Sequence, residues 1–183
     1  MFDEGGNKLF AEVANFAVVY GEYGCGESTK YIAKHTDARI IAVDTSKEWA
    51  DRTRTAINDR HNALICHVDC GPVGDWGRPL NLDFKDRFHV YHYFPWSLEE
   101  SSPNVVLIDG RFRVACFLAT LMRAKPGTQI LFDDYCDRPH YHVVEKLIVP
   151  ARTSGRMALF VRPGFINNGQ VQQLYNEYKH DID

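Results

Sequence analysis

The chain lacks the features that mark membrane, secreted and nucleic-acid-binding proteins. Its longest apolar run, Phe16 to Tyr20, falls far short of the roughly 20 residues a membrane span needs, and no charged start leads into an apolar secretion segment. Lysine and arginine number 21 against 24 acidic residues, a net charge of −3, and no stretch gathers enough of them to neutralise several phosphates at once. Neither a membrane nor a nucleic acid is therefore an expected partner, and the chain reads as soluble and cytoplasmic. Cysteine is sparse. Cys25, Cys66, Cys70, Cys116 and Cys136 are odd in number and scattered, which argues against a secreted disulfide framework and for small buried hydrophobes. Internal repeats and low-complexity tracts are missing as well.

What is present suits one globular domain spanning residues 1–183. Hydrophobic residues make up 45% and charged residues 25%, near the averages for folded domains. A domain of this length buries roughly 70% of its unfolded surface, so any metal would serve chemistry rather than folding. Apolar runs of strand length alternate with helical patterns, the sign of a parallel sheet flanked by helices. Predicted strands cover Phe16–Tyr20, Arg39–Val43, Ala63–Val68, Val105–Ile108, Gln129–Phe132 and Met157–Val161. Helices are predicted from Ser28 to His35, after Ser46, through Val114–Met122, over His140–Ile148 and around Val171–Tyr178. Between Cys70 and Pro103 the periodicity fails, which marks an irregular excursion with a short strand at Phe88–Phe94. Its aromatic residues Phe88, Tyr91, Tyr93, Phe94 and Trp96 either cover a substrate pocket or pack the excursion onto the sheet.

Successive strands finish in acids: Glu22, Asp44, Asp69, Asp109 and Asp133-Asp134. In open parallel sheets the ligand lies beyond the carboxyl ends of the strands, so these acids line one crevice, although each alone can simply start a turn or cap a helix. Gly24-Cys25-Gly26-Glu27-Ser28-Thr29 lacks the third glycine of a dinucleotide-binding turn, and Glu22 and Glu27 put negative charge where a pyrophosphate would sit. A nicotinamide-dependent oxidoreductase is disfavoured on both counts. A phosphate-free cofactor with a cationic centre suits the turn better.

Glu22-Tyr23-Gly24-Cys25-Gly26-Glu27-Ser28-Thr29 resembles the E-Y-G-x-G-x-S-T cofactor loop of class I S-adenosylmethionine-dependent methyltransferases, and the resemblance runs in order through nearly the whole chain. It implies a Rossmann-like α/β fold, a mostly parallel twisted sheet with helices on both faces in a three-layer sandwich. It implies S-adenosylmethionine as cofactor, with Glu22, Gly24 and Gly26 bordering the methionine part, Asp44 on the ribose and Asp69 near the adenine. Tyr23, Ser28, Thr29, Thr45 and Asp109 join them in the cofactor site. The acceptor is expected to be a small polar molecule, methylated at oxygen. The alternative is a catalytically silent, methyltransferase-like nucleoside-binding protein.

Asp109, Asp133 and Asp134 resemble the carboxylate set of metal-dependent small-molecule O-methyltransferases, which implies a magnesium-type ion, with Asp109 and Asp133 in catalysis. Acids on adjacent strand tips can share one hard cation, which would lower the pKa of a substrate hydroxyl. Equally, Asp133 can cap the next turn while Asp134 pairs with Arg111 or Arg138, with no ion. Arg111 and Arg113 either recognise a carboxylate or phosphate on the substrate or neutralise the neighbouring acids. His142, like His140, lies near the predicted crevice and is a candidate proton acceptor. Cys66-His67-Val68-Asp69-Cys70 carries zinc-type atoms but has no second ligand pair.

Overall fold

The computed structural model describes residues 1–57, 60–98 and 101–182; positions 99 and 100 of the predicted excursion lie outside them. Strands β1 (Val19–Tyr23), β2 (Arg39–Asp44), β3 (Ala63–His67), β4 (Val105–Ile108), β5 (Gln129–Phe132), β6 (Arg152–Ser154) and β7 (Met157–Val161) form one sheet in the order β3-β2-β1-β4-β5-β7-β6. Neighbours from β3 to β5 pair in parallel, and β7 runs antiparallel between β5 and β6.

Period-two alternation sorts the strand side chains into two cores. Tyr20, Ile40, Ala42, Val105 and Leu107 pack with residues of α1 (Glu4–Ala14), α2 (Glu27–His35) and α3 (Lys47–Ala56). Tyr23, Val43, Val106 and Ile108 pack with residues of α4 (Phe88–Tyr93), α5 (Arg113–Arg123) and α6 (Asn168–Tyr178). β4 is buried along its whole length, as a strand covered on both faces must be. This is the mostly parallel α/β sandwich that the alternation of patterns predicts.

Local departures have local causes. The first strand starts at Val19, because Asn104 seizes the lead-in: its side-chain oxygen accepts from Val18 N at 2.8 Å and Val19 N at 3.0 Å, and its amide donates to Phe16 O at 2.8 Å. Phe16 and Val18 stay exposed. α1 had no counterpart in the sequence reading, although Asp3 caps it by accepting from Gly6 N at 2.7 Å and Leu9, Phe10, Val13 and Ala14 form its buried stripe. Phe88–Tyr93 is a helix rather than a strand, since Phe88, Tyr91 and His92 are its buried positions and that spacing fits only a helical turn. The helix expected over His140–Ile148 spans Pro139–Lys146 and is of the 3-10 type. The excursion includes a tight hairpin, bridged at Val73 and Pro79 and topped by Asp75–Gly77.

Strand order reverses between β1 and β4. The chain winds one way from β1 through β2 to β3 and the other way from β4 to β5, which opens a crevice at the carboxyl ends of β1 and β4. Below it, α5 is the most buried helix, and Phe117 on it stacks against Phe132 and Phe160 at 5.7 and 4.8 Å. Phe117→Ala should cost about 3–5 kcal/mol through lost transfer energy and the cavity left behind. Urea denaturation checks this; a loss under about 1 kcal/mol would mean that the α5 layer repacks and is not the rigid support of the crevice.

Candidate functional site

A cleft of about 550 Å3 opens at this switch point, within the usual range for a small-molecule site. Its floor is a contact between two glycines. Gly24, at φ +86°, leaves β1, and a Cβ there would stand 2.6 Å from Gly110 Cα just beyond β4. A Cβ at Gly110 would run into the Tyr91 hydroxyl and Gly24 N. Gly26 differs: its φ of 168° suits any residue, and a Cβ would meet nothing within 4 Å, so the glycine leaves open space at the start of α2.

Glu22 does not face that space. Alternation along β1 sends it with Tyr20 toward α2, where it is fully buried and accepts from the Ser28 hydroxyl and, at 2.5 Å, from Thr29 Oγ1. Thr29 Oγ1 in turn accepts from Gly26 N at 2.8 Å. Burial pushes the Glu22 carboxyl up to about 8, against the pull of those two hydroxyls. With one oxygen engaged by Ser28, the other by Thr29 and the side chain turned from the cleft, the expected direct contact is replaced by an internal brace that shapes the turn. Tyr23 goes to the opposite face, fully buried, where its hydroxyl donates to His92 O at 2.6 Å and accepts from Trp96 Nε1 at 2.9 Å. It anchors the excursion and does not line the cleft. Thr29 is likewise buried behind the turn, while Ser28 borders the cleft.

Asp44 lies at the cleft edge, with Oδ2 accepting from Cys25 N at 3.0 Å and Oδ1 from Ser46 N at 2.7 Å. Cys25 Sγ also donates to Oδ2, at 3.6 Å, so Oδ1 is the oxygen that retains a lone pair for a ligand hydroxyl. Thr45 beside it donates from Oγ1 to Gly77 O at 2.6 Å and so latches the Asp75–Gly77 turn over the cleft mouth. That turn presents Trp76, 78% exposed and at φ 58°, opposite Trp49. Asp69 does not take part. It pairs with Arg87 at 2.7 Å, accepts from Gly71 N at 3.0 Å and stands outside the cleft, a turn residue rather than an adenine contact.

Asp109, Asp133 and Asp134 converge on the cleft as expected, but their counterions are arginines. Arg156, from the β6–β7 hairpin, clamps the fully buried Asp133 with Nε and Nη2 at 3.0 and 2.8 Å. Asp134 takes Arg113 at 3.1 Å, Arg138 at 3.0 Å and Arg156 at 3.1 Å, and Asp109 takes Arg113 at 3.2 Å. Three guanidinium groups thus occupy the space between the acids that a divalent ion would need. Among the described residues no group of three or more His, Cys, Asp or Glu side chains could hold a metal ion. The donor set does not fit magnesium, and the metal reading is withdrawn.

Arg113 is 3% exposed and also donates to Asp133 O at 2.7 Å and Gly110 O at 3.0 Å, so it is a structural cation with nothing left for substrate. His142 is turned away: its ring stacks on Tyr135 at 4.6 Å, and Nε2 sits 3.0 Å from Tyr135 O. It cannot act in the cleft. Asp109 remains as the titratable group of interest. Burial pushes its carboxyl up to about 7, with Arg113 pulling down and Asp133 and Asp134 adding to the rise. Arg156, Trp49 and Trp76 were missed as cleft residues. Arg156 is brought in by a hairpin that only the tertiary fold places, but the Gly-rich run around Trp76 did hint at an exposed turn.

No protein-family model matches the chain, and no curated protein matches it in sequence. Solved structures do. An O-methyltransferase from Bacillus cereus, determined in complex with S-adenosylhomocysteine, shares 16% identity over 86% of this chain and 80% of its own, with a TM-score of 0.56. An RNA methyltransferase from Salinibacter ruber, also with S-adenosylhomocysteine, shares 15% over 87% and 92%, with a TM-score of 0.55. At such identities the likeness is one of fold. A methyltransferase-like protein from Silicibacter pomeroyi is 31% identical across 98% of this chain and 96% of its own, with a TM-score of 0.86. With that match, and with the glycine turn, Asp44 and Asp109 gathered in one cleft, the chain belongs to the class I S-adenosylmethionine-dependent methyltransferase family.

Proposed function

We propose that the cleft binds S-adenosylmethionine and directs its methyl group to an oxygen of a small polar acceptor without a metal ion. The observation that carries this reading is the open wall at Gly26, set between Asp44 and Asp109 in a cleft large enough for a nucleoside. When bound, the cofactor supplies a sulfonium methyl whose S–C bond breaks as the acceptor's O–C bond forms, leaving a thioether. Asp44 would hold the ribose hydroxyls. Asp109 would accept the acceptor's proton, a role suited to a carboxyl titrating near neutrality. The rest of the site aligns the two reactants, and alignment supplies much of the rate in a direct displacement.

A second reading, a nucleoside-binding protein without transfer activity, draws on the position of His142, which leaves the cleft without the expected imidazole. The two readings share the cofactor and differ in turnover. Saturating S-adenosylhomocysteine, at about 100 times its Kd, should raise Tm by about 5 °C or more. Gly26→Val should keep the Tm of the free protein and lose that rise, since the backbone accepts any residue there and the side chain fills the open wall. If the valine variant still binds, the cofactor lies elsewhere.

Transfer from labelled S-adenosylmethionine to acceptors in a cell extract should rise with pH through about 7 and level off above it, because the base works only when deprotonated. Asp109→Asn should lower the rate about 100-fold or more, and EDTA should leave it unchanged. A pH-independent rate, or full activity in the asparagine variant, would remove Asp109 from catalysis. Cofactor binding with no labelled product would favour the silent reading.

A further inference from the structure

Four arginines line the cleft, and three of them are paired with Asp133, Asp134 or Asp109. Arg111 is the exception. Among the described residues its guanidinium has no hydrogen bond or ion pair, and its Nε is out of contact with solvent without an acceptor. A guanidinium cannot shed its charge by deprotonation, and this one is half-buried, so with Nε enclosed its terminal nitrogens are the ones left to meet an anion in the cleft. None of the acids of the cleft is paired with it. Glu27 faces Lys30 at 2.7 Å, and both Asp44 oxygens accept backbone N–H groups.

We infer that Arg111 is the anion-binding residue of the cleft and that the molecule methylated carries a carboxylate or phosphate. This deepens the methyl-transfer reading and rests on it. The site around Arg111 suits such a group. Arg111 follows Gly110 at the base of the cleft, next to Asp109, so an acceptor held by its anion would keep its remaining atoms close to the proposed base. The Tyr91 hydroxyl, which accepts from Arg111 N at 3.4 Å, has its own hydrogen to donate to the same anion. The planar guanidinium can offer two parallel N–H bonds, the geometry that carboxylates and phosphates share.

Calorimetric titration of inorganic phosphate, into the free protein and into protein saturated with S-adenosylhomocysteine, tests this. Wild type should bind phosphate saturably in both forms, and Arg111→Gln should weaken it at least tenfold while changing the S-adenosylhomocysteine Kd less than twofold. Arg111→Lys, which keeps the charge but not the fork, should fall between. The glutamine variant should melt at or above the wild-type temperature, because a half-buried charge with no ion pair is removed; a fall of about 5 °C or more would reveal a structural role and overturn the inference. It also fails if wild type does not bind phosphate, if the glutamine variant binds it equally well, or if S-adenosylhomocysteine affinity drops tenfold, which would assign Arg111 to the cofactor's own carboxylate. If wild type does not bind S-adenosylhomocysteine, the methyl-transfer reading falls, and phosphate titration of the free protein still decides whether Arg111 holds an anion.

Discussion

Neighbouring strands of a sheet lie about 4.8 Å apart, so carboxylates at the tips of β4 and β5 repel one another unless cations come between them. Here the cations are covalently part of the chain. Arg113 reaches both tips from the start of α5, and Arg156 reaches Asp133 and Asp134 from the hairpin that closes the sheet. Arg156 also donates from its backbone N to Asp3 at 2.9 Å, which ties the cap of α1 to the same cluster. The ends of two parallel strands, an antiparallel hairpin and the first helix therefore share one ionic knot. Removing either partner from a knot buried this deeply leaves an uncompensated charge, which is why such clusters hold their geometry.

The knot explains what could and could not be read from the sequence. Acids at successive strand ends, the Gly24–Gly26 turn and the alternation of patterns depend on neighbours in the chain, and the structure places Gly24, Gly26, Asp44, Asp109, Asp133 and Asp134 around one cleft. Glu22 and Tyr23 were assigned to the crevice by their place in the loop motif, but they still belong to β1, whose alternation turns them to opposite faces of the sheet and away from the cleft. Arg156 stands 23 residues beyond Asp133, and nothing near it in sequence announces a bidentate partner across the sheet. His142 failed for another reason: the 3-10 winding of its segment turns Tyr141 and Val144 inward and stacks the histidine back on Tyr135.

Backbone strain gathers in the same region. The non-glycine residues at positive φ among those described are Trp76, Phe112 and Asp134. Trp76 and Asp134 line the cleft, and Phe112 lies between Arg111 and Arg113. Aspartate tolerates this conformation, but for tryptophan and phenylalanine it costs of order 1–3 kcal/mol, which the surroundings must offset. For Phe112 the offset is visible, since its ring is buried against Phe88 at 4.5 Å, His92 at 5.1 Å and Tyr91 at 5.5 Å. Trp76 is exposed; its turn is held by the backbone bonds of the hairpin, Gly74 N to Arg78 O at 2.8 Å among them, and by the Thr45–Gly77 hydrogen bond.

Arginines among these acids, rather than the divalent ion expected from the sequence, set what the cleft can do chemically. A metal lowers the pKa of a bound hydroxyl by several units and generates the nucleophile directly. A guanidinium paired with carboxylates stabilises charge but gives a substrate oxygen no comparable acidity, and all three acids sit in such pairs, Asp133 through two bonds to Arg156 and Asp134 with three arginines. Asp109, with one arginine at 3.2 Å and a partly open face, is the member of the set left able to take a proton. A base of that strength suits an acceptor hydroxyl that is itself fairly acidic, such as a phenol or an enol, more than an aliphatic alcohol. An acceptor of that kind placed by its own anion on Arg111 would need little from the protein besides position, and position is what a rigid ionic knot beneath a glycine floor supplies.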